Sequence, residues 1–235
     1  LPYRIEVKET DLNLVDGDLV HLEYLRDLNG KTILAKIDRI IGHKNDPGVD
    51  ILSIIYKYNI NTVFPDDVKE EVKTINMEVL PEELEGRRDL RDMEIFTIDG
   101  DDTKDFDDAV GFIDNTLYIS IADTEYTIKE DSEIDKDIIK RGISVYPPGM
   151  VNPMMHHKIS NGICSLNPGE DRFAVSSITK FDEYGERISF KAPITVMNNK
   201  KRMTYQEVNK YLEEGIILSG YEEYTEMLDK LYNFA

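Results

Sequence analysis

Thr97-Ile98-Asp99-Gly100-Asp101-Asp102-Thr103-Lys104-Asp105-Phe106-Asp107-Asp108-Ala109-Val110 packs six aspartates into the ten positions 99–108, between Ile95-Phe96 and Ala109-Val110-Gly111-Phe112. Carboxylates this close resist ionising together. Apolar, strand-like flanks add a desolvation penalty. A bound cation relieves both, and an all-oxygen donor set suits a hard ion, Mg²⁺ or in its place Mn²⁺. A charge run is more often a solvated loop, but Ile98 and Phe106 alternate with the acids, which a solvated loop does not need. An EF-hand calcium loop is excluded by spacing. Counted from Asp99, the positions needing Gly and Glu hold Lys104 and Val110; counted from Asp101, they hold Phe106 and Phe112.

In type and spacing, Asp99, Asp105, Asp107 and Asp108 resemble the four active-site aspartates of the ribonuclease II/ribonuclease R exoribonucleases, and the run as a whole is similar to the ribonuclease R form. A second segment, Ile159-Ser160-Asn161-Gly162-Ile163-Cys164-Ser165-Leu166-Asn167-Pro168-Gly169-Glu170-Asp171-Arg172, resembles another family motif at the expected distance downstream. Two long motifs in the right order are far more specific than one short pattern.

A chain of 235 residues can hold one large domain or two smaller ones. It begins at Leu1 and stops at Ala235 inside a helical pattern, the layout expected of a piece of a longer protein. No apolar run approaches the roughly 20 residues that span a bilayer, and there is no signal-peptide layout. Cys164 is the single cysteine, so no internal disulfide forms and a reduced, cytoplasmic setting is expected. The net charge of −19, from 28 Lys+Arg against 47 Asp+Glu, opposes long-range attraction to phosphate. A cation offsets part of it at the aspartates; the acidic stretch from Asp66 to Glu94 is expected to face solvent.

Residues 3–42 alternate as antiparallel strands would, over Tyr3–Val7, Leu19–Tyr24 and Thr32–Ile37, with turns at Val15–Asp18 and Leu28–Lys31. The resemblance implies that residues 1–45 are the closing part of a cold-shock, OB-type RNA-binding barrel. Residues 46–94 read as a helical acidic connector. Asp46 is the expected N-cap and Pro47 the first helical position, with Ile51, Leu52, Ile54, Ile55 and Tyr58 as apolar stripe; a second helix follows Pro65. Arg87, Arg88 and Arg91 are expected to pair with neighbouring acids. Residues 95–235 read as the N-terminal part of the catalytic domain, and the fold class is α+β.

Within that part, a hairpin turns at Asp114-Asn115 with Leu117, Ile119 and Ile121 on one face. A helix capped by Ser132 with Asp135 carries Ile134, Ile138 and Ile139 inward. His156 and His157 are placed at the surface. Another hairpin over Phe173–Phe181 and Ile188–Val196 turns at Tyr184-Gly185, and Thr204 with Glu207 forms a capping box for a helix ended by Gly215. The dipeptide Ala122-Asp123 resembles a family feature, but Tyr126-Thr127 stands where the family usually has His-Tyr. Tyr146, in the loop Gly142–Gly149, matches a tyrosine that the resemblance assigns to stacking on a base of the RNA; Pro147 replaces a frequent Phe.

The resemblance implies an Mg²⁺-dependent hydrolytic exoribonuclease that degrades single-stranded RNA from its 3′ end to nucleoside 5′-monophosphates. Asp99, Asp105 and Asp108 are assigned to metal, Asp107 to catalysis, and Tyr146 to RNA. The rival is an RNA-binding module with no catalysis of its own, since the family's later active-site residues lie beyond Ala235. An acidic hydrolase of small phosphoesters is the third possibility.

Overall fold

A computed structural model describes residues 3–234, which fall into two compact units. The first comprises residues up to Phe64 together with Arg141–Met154. Its sheet joins β1 (Arg4–Val7), β2 (Asp18–Asp27) and β3 (Thr32–His43) in the order β1-β3-β2. The strands and turns are those expected, with one correction. β2 and β3 are antiparallel, but β1 runs parallel to β3, because Glu9–Val15 carries the chain to the far edge instead of returning it through a hairpin.

Helix α1 (Val49–Lys57) also departs from expectation at its start. Its N-cap is Gly48, in the left-handed region at φ 81°, with no side-chain cap. The Asp46 carboxylate is occupied elsewhere, accepting the His43 N–H at 3.0 Å. The helix buries Val49 and Ile55 while Ile54 and Tyr58 are exposed, so the buried stripe is narrower than the sequence suggests. In the same unit, Arg141 donates to the Asn61 and Val63 carbonyls at 2.7 and 2.9 Å.

The second unit, Pro65–Lys140 with Met155 onward, is built on a sheet. Helix α2 (Asp66–Thr74) follows Pro65 and buries Val68 and Val72 on one face. Strands β4 (Arg88–Leu90), β5 (Thr97–Asp99), β6 (Asp108–Ile113) and β7 (Thr116–Ala122) come next, then α3 (Thr124–Thr127) and α4 (Glu133–Arg141). After a tight π-helical turn at Ile159–Ile163 come β8 (Asp171–Phe181), β9 (Arg187–Lys191), β10 (Ile194–Asn198), β11 (Arg202–Thr204), α5 (Tyr205–Glu214) and α6 (Thr225–Phe234). The main sheet runs β4-β10-β8-β7-β6 with β9 also on β8, and β11 lies parallel to β5 as a separate pair. Sheets and helices in this arrangement are α+β.

The turn at Asp114-Asn115 forms as expected, both residues at positive φ (49° and 56°), the conformation of a two-residue hairpin. Its faces are reversed. Tyr118 and Ser120 are buried and Ile119 and Ile121 are exposed, so the apolar count along β7 points the wrong way. The β8 hairpin forms too, but its return strand breaks into β9 and β10 at Ala192-Pro193, since proline cannot supply a ladder N–H. In α4, Ser132 accepts the Asp135 N–H at 3.1 Å as expected and Ile134 is buried, but Ile139 is exposed and Asp137 is buried. The capping box of Thr204 and Glu207 and the left-handed Gly215 at φ 69° form as read.

Two apolar clusters flank the sheet. One gathers Leu90, Ile95, Phe106, Ala109, Tyr118, Leu166, Ala174, Ile178 and Met197; the other gathers Phe96, Phe112, Met203, Val208 and residues of the C-terminal helices. Three hydroxyls cross the buried interior of the sheet: Ser120 meets Ser176 at 2.8 Å, Ser176 meets Thr195 at 2.7 Å, and Thr195 donates to the Ala174 carbonyl at 3.0 Å. Cys164 is buried, which pushes its thiol up to about 11. Among the described residues, no helix is long and apolar enough to cross a membrane.

Gly111 is required by close approach. A Cβ there would stand 2.6 Å from the Glu94 carbonyl oxygen. Gly111→Ala is expected to lower stability by about 1–3 kcal/mol, as over-packing of backbone against backbone does, and urea denaturation of the variant measures it.

Candidate active site

The acidic run is not one strand. Thr97 to Asp99 form β5, the chain turns at Gly100–Thr103 and runs irregularly to Asp107, and β6 begins at Asp108. Asp107 therefore does not alternate with Asp108 along a common strand, as its position in the sequence suggests. Its carbonyl accepts the Ala122 N–H at 3.0 Å, while Asp108 lies opposite Ile121 in the hairpin.

The second sequence motif holds this loop. Ser165 Oγ accepts the Phe106 N–H at 2.9 Å, and the Leu166 N–H donates to the Phe106 carbonyl at 2.8 Å. Phe106 is thereby pinned in the core on both backbone sides, and Asp105 and Asp107 are left flanking it. Asn167 closes the motif on itself by donating to the Asn161 carbonyl at 3.2 Å. Buried Asn199 joins the pieces: its amide nitrogen meets the Leu166 carbonyl at 2.6 Å and Thr97 Oγ1 at 3.3 Å. Neither Asn199 nor Arg202, whose guanidinium donates to the Gly100 and Asp101 carbonyls, is marked by any local pattern. Arg202 reaches the site through the parallel pairing of β11 with β5, and Asn199 through a parallel bridge to Pro168 just after the second motif's Asn167, both contacts between segments far apart in the chain.

Asp99 and Asp105 are half-buried; Asp107 and Asp108 are exposed. Burial raises the Asp99 carboxyl above the usual carboxylate range, and repulsion from Asp108 and Asp107 adds to the rise, partly offset by Thr97 and Arg202. Burial likewise raises Asp107, with Asp105 and Asp108 repelling it. The four carboxylates share one electrostatic neighbourhood, but, among the described residues, no three acidic, His or Cys side chains close into a metal-sized cage. The chemistry of the donor set still fits a cation. Asp99 Oδ2 is buried without a hydrogen-bond partner, and an unpaired buried acceptor is costly.

The other sequence candidates fall as follows. Tyr146 belongs to the first unit and is exposed on its loop, which is closed by a pair of backbone bonds between Val145 and Asn152 at 2.8 and 2.9 Å. His157 is exposed and His156 half-buried. Arg91 pairs with Asp89 at 2.6 Å and Asp171 at 3.2 Å, as expected of a basic residue among acids. Arg87 meets Asp123 at 2.8 Å, both side chains nearly solvent-free, and stacks over Phe173 and Tyr126 with its charge centre 4.0 and 4.6 Å from the ring centres. Tyr126, at the position where a His was expected, donates to Glu83 at 2.7 Å. Arg172 is buried and bonded to the Ser165 and Gly162 carbonyls and to Glu170.

Comparison with known proteins bears on the family of the chain. An RNB domain matches residues 87–235 and a cold shock domain residues 1–65. Ribonuclease R of Thermotoga maritima is 39% identical over 211 residues, 87% of this chain and 29% of that protein. Ribonuclease R of Mycoplasmopsis pulmonis is 44% identical over 159 residues, 66% of this chain and 22% of that protein. The structure of Mycoplasma genitalium ribonuclease R in complex with double-stranded RNA matches 99% of this chain and 42% of its own, at a TM-score of 0.91 and 26% identity. The chain thus spans less than a third of the length of these two sequence relatives. With the RNB match covering more than half of its residues and both motifs in place, the chain belongs to the RNB-domain family, that of ribonucleases II and R.

Proposed function

We propose that this chain forms the metal-binding part of a hydrolytic exoribonuclease that shortens single-stranded RNA from its 3′ end and releases nucleoside 5′-monophosphates in the cytoplasm. The observation that carries the reading is the acidic loop itself: mutually repelling carboxylates, one buried acceptor without a partner, and a second motif whose hydrogen bonds keep the loop folded against that repulsion. Asp99, Asp105 and Asp108 would hold Mg²⁺, or Mn²⁺ in its place. An ion held there would supply neutralising charge for the phosphodiester and its leaving 3′-oxygen and would make water more acidic.

Asp107 is assigned to the attacking water, accepting its proton on a carboxylate oxygen. A carboxyl raised by burial, with Asp105 and Asp108 repelling it, is a better base than an ordinary surface aspartate. Tyr146 is assigned to a base of the RNA. Stacking is sequence-tolerant, at about 1–3 kcal/mol per base, as an unspecific nuclease requires. The negative charge of the chain places most of the phosphate affinity on other parts of the protein.

One observation favours the second reading, an RNA-binding module without catalysis: the carboxylates do not close into a cage on their own. Hydrolysis of 5′-labelled single-stranded RNA by the intact protein, in Mg²⁺ and in EDTA, separates the two. Stepwise shortening in Mg²⁺ that stops in EDTA is expected; binding without shortening in Mg²⁺ would select the module.

A further inference from the structure

Arg202 stands at the start of β11, opposite Thr97 of β5, and reaches across to the acidic turn. Its Nη2 donates to the Gly100 carbonyl at 3.1 Å and to the Asp101 carbonyl at 2.7 Å. The Gly100 carbonyl also accepts the Thr103 N–H at 3.2 Å, so the arginine seals a turn that the backbone has already closed. The charge centre of the guanidinium lies 5.4 Å from the Phe106 ring centre. One side chain thus touches the beginning of the loop and its apolar anchor.

The rest of the guanidinium is informative. Arg202 Nε and Asp99 Oδ2 are both buried without a hydrogen-bond partner among the described residues. Two complementary groups, a cationic donor and an anionic acceptor, are held near one another without bonding. If charge compensation were the whole task of Arg202, a direct ion pair with Asp99 would perform it better. One nitrogen, Nη2, donates to both main-chain carbonyls instead, so the guanidinium bridges the turn and does not pair with the carboxylate.

We propose that Arg202 is a positioning residue that clamps the Gly100–Asp101 turn and so fixes Asp99 relative to Asp105, Asp107 and Asp108, leaving the Asp99 carboxylate oxygen free for a divalent cation. The effect on metal rests on the nuclease reading above; the clamp itself does not.

Arg202→Lys keeps the charge and loses the planar Nη2 group that reaches both carbonyls, whereas Arg202→Gln loses the charge and keeps an amide NH₂ on a shorter side chain. In the intact protein, with folding of each variant verified by circular dichroism, amide exchange over residues 100–106 reads the clamp. Mn²⁺ binding followed by electron paramagnetic resonance reads the carboxylate set. Both variants are expected to speed Thr103 exchange and to weaken Mn²⁺ binding by about tenfold or more, the loss of a charge-assisted hydrogen bond. RNA affinity in EDTA is expected to stay near that of the wild type.

Wild-type exchange in both variants would overturn the clamp. An Arg202→Lys protein equal to wild type in both readouts would reduce the residue to a charge and overturn the proposal as well. Faster exchange with unchanged Mn²⁺ binding would overturn the link from turn to carboxylates. A wild-type protein that neither binds Mn²⁺ nor cuts RNA would sink the nuclease reading, and the exchange comparison would still decide the clamp. Should one variant not fold, the other carries the test.

Discussion

Asp107→Asn in the intact protein is expected to slow hydrolysis of single-stranded RNA by about 10²–10⁴-fold, the usual contribution of a positioned base, with little change in RNA affinity. The substitution is close to isosteric and Asp107 is exposed at its edge, so the fold should tolerate it. Removing one carboxylate from a crowded set also relieves repulsion with Asp105 and Asp108, so thermal stability should hold or rise slightly. A variant with lower turnover and undiminished melting temperature would separate chemistry from structure. Turnover within a few-fold of wild type would remove Asp107 from the reaction and shift the role to another acid of the loop. A parallel loss of RNA binding would point instead to a structural part for this residue.

The largest effect on stability is expected at Arg87. Its side chain and that of Asp123 are 4% and 8% exposed. Arg87→Met would leave the Asp123 carboxylate buried without its cation, at a cost of about 3–5 kcal/mol. The aromatic rings of Tyr126 and Phe173 would also lose the guanidinium packed against them. Removing both charges together is a different matter, because replacing a buried pair by apolar groups is often close to neutral. Arg87→Met combined with Asp123→Leu should therefore recover much of the loss. Recovery stops short of wild type because Asp123 also caps α3 by accepting the Tyr126 N–H at 3.2 Å. Chemical denaturation of the two single variants and the double variant gives the coupling directly. An Arg87→Met protein as stable as wild type would mean that water reaches the carboxylate.

What could be read from the chain follows the range of the interactions. Local signals held: the Asp114-Asn115 turn, the Thr204–Glu207 capping box and the Gly215 helix stop each depend on residues within a few positions. Signals needing the rest of the fold misled. Ile119 and Ile121 look like a buried face, but the core of the sheet lies behind Tyr118 and Ser120, because the neighbouring strands present Ala109 and Ala174 there. Asp46 followed by proline looks like an N-cap, yet its carboxylate is taken by His43 and the helix starts from Gly48. The aspartates themselves were legible as a set, since their crowding is a local fact. The residues that hold them, Asn199 and Arg202, were not: Arg202 arrives through the β11–β5 pair and Asn199 through a bridge to Pro168, contacts that no short window contains.

The hydroxyl chain from Ser120 through Ser176 to Thr195 has a bearing on the acidic strand. Ser120 faces Ala109, the residue next to Asp108. A slide of β6 by one place along β7 would turn Asp108 inward among hydrocarbon and bring Ala109 out into water. Short polar contacts sealed inside the sheet forbid such a slide among the strands behind it, since any shift would strand hydroxyls where nothing can answer them. A dry seam of three small side chains thus sets the ruler against which the neighbouring hairpin places a carboxylate at the surface.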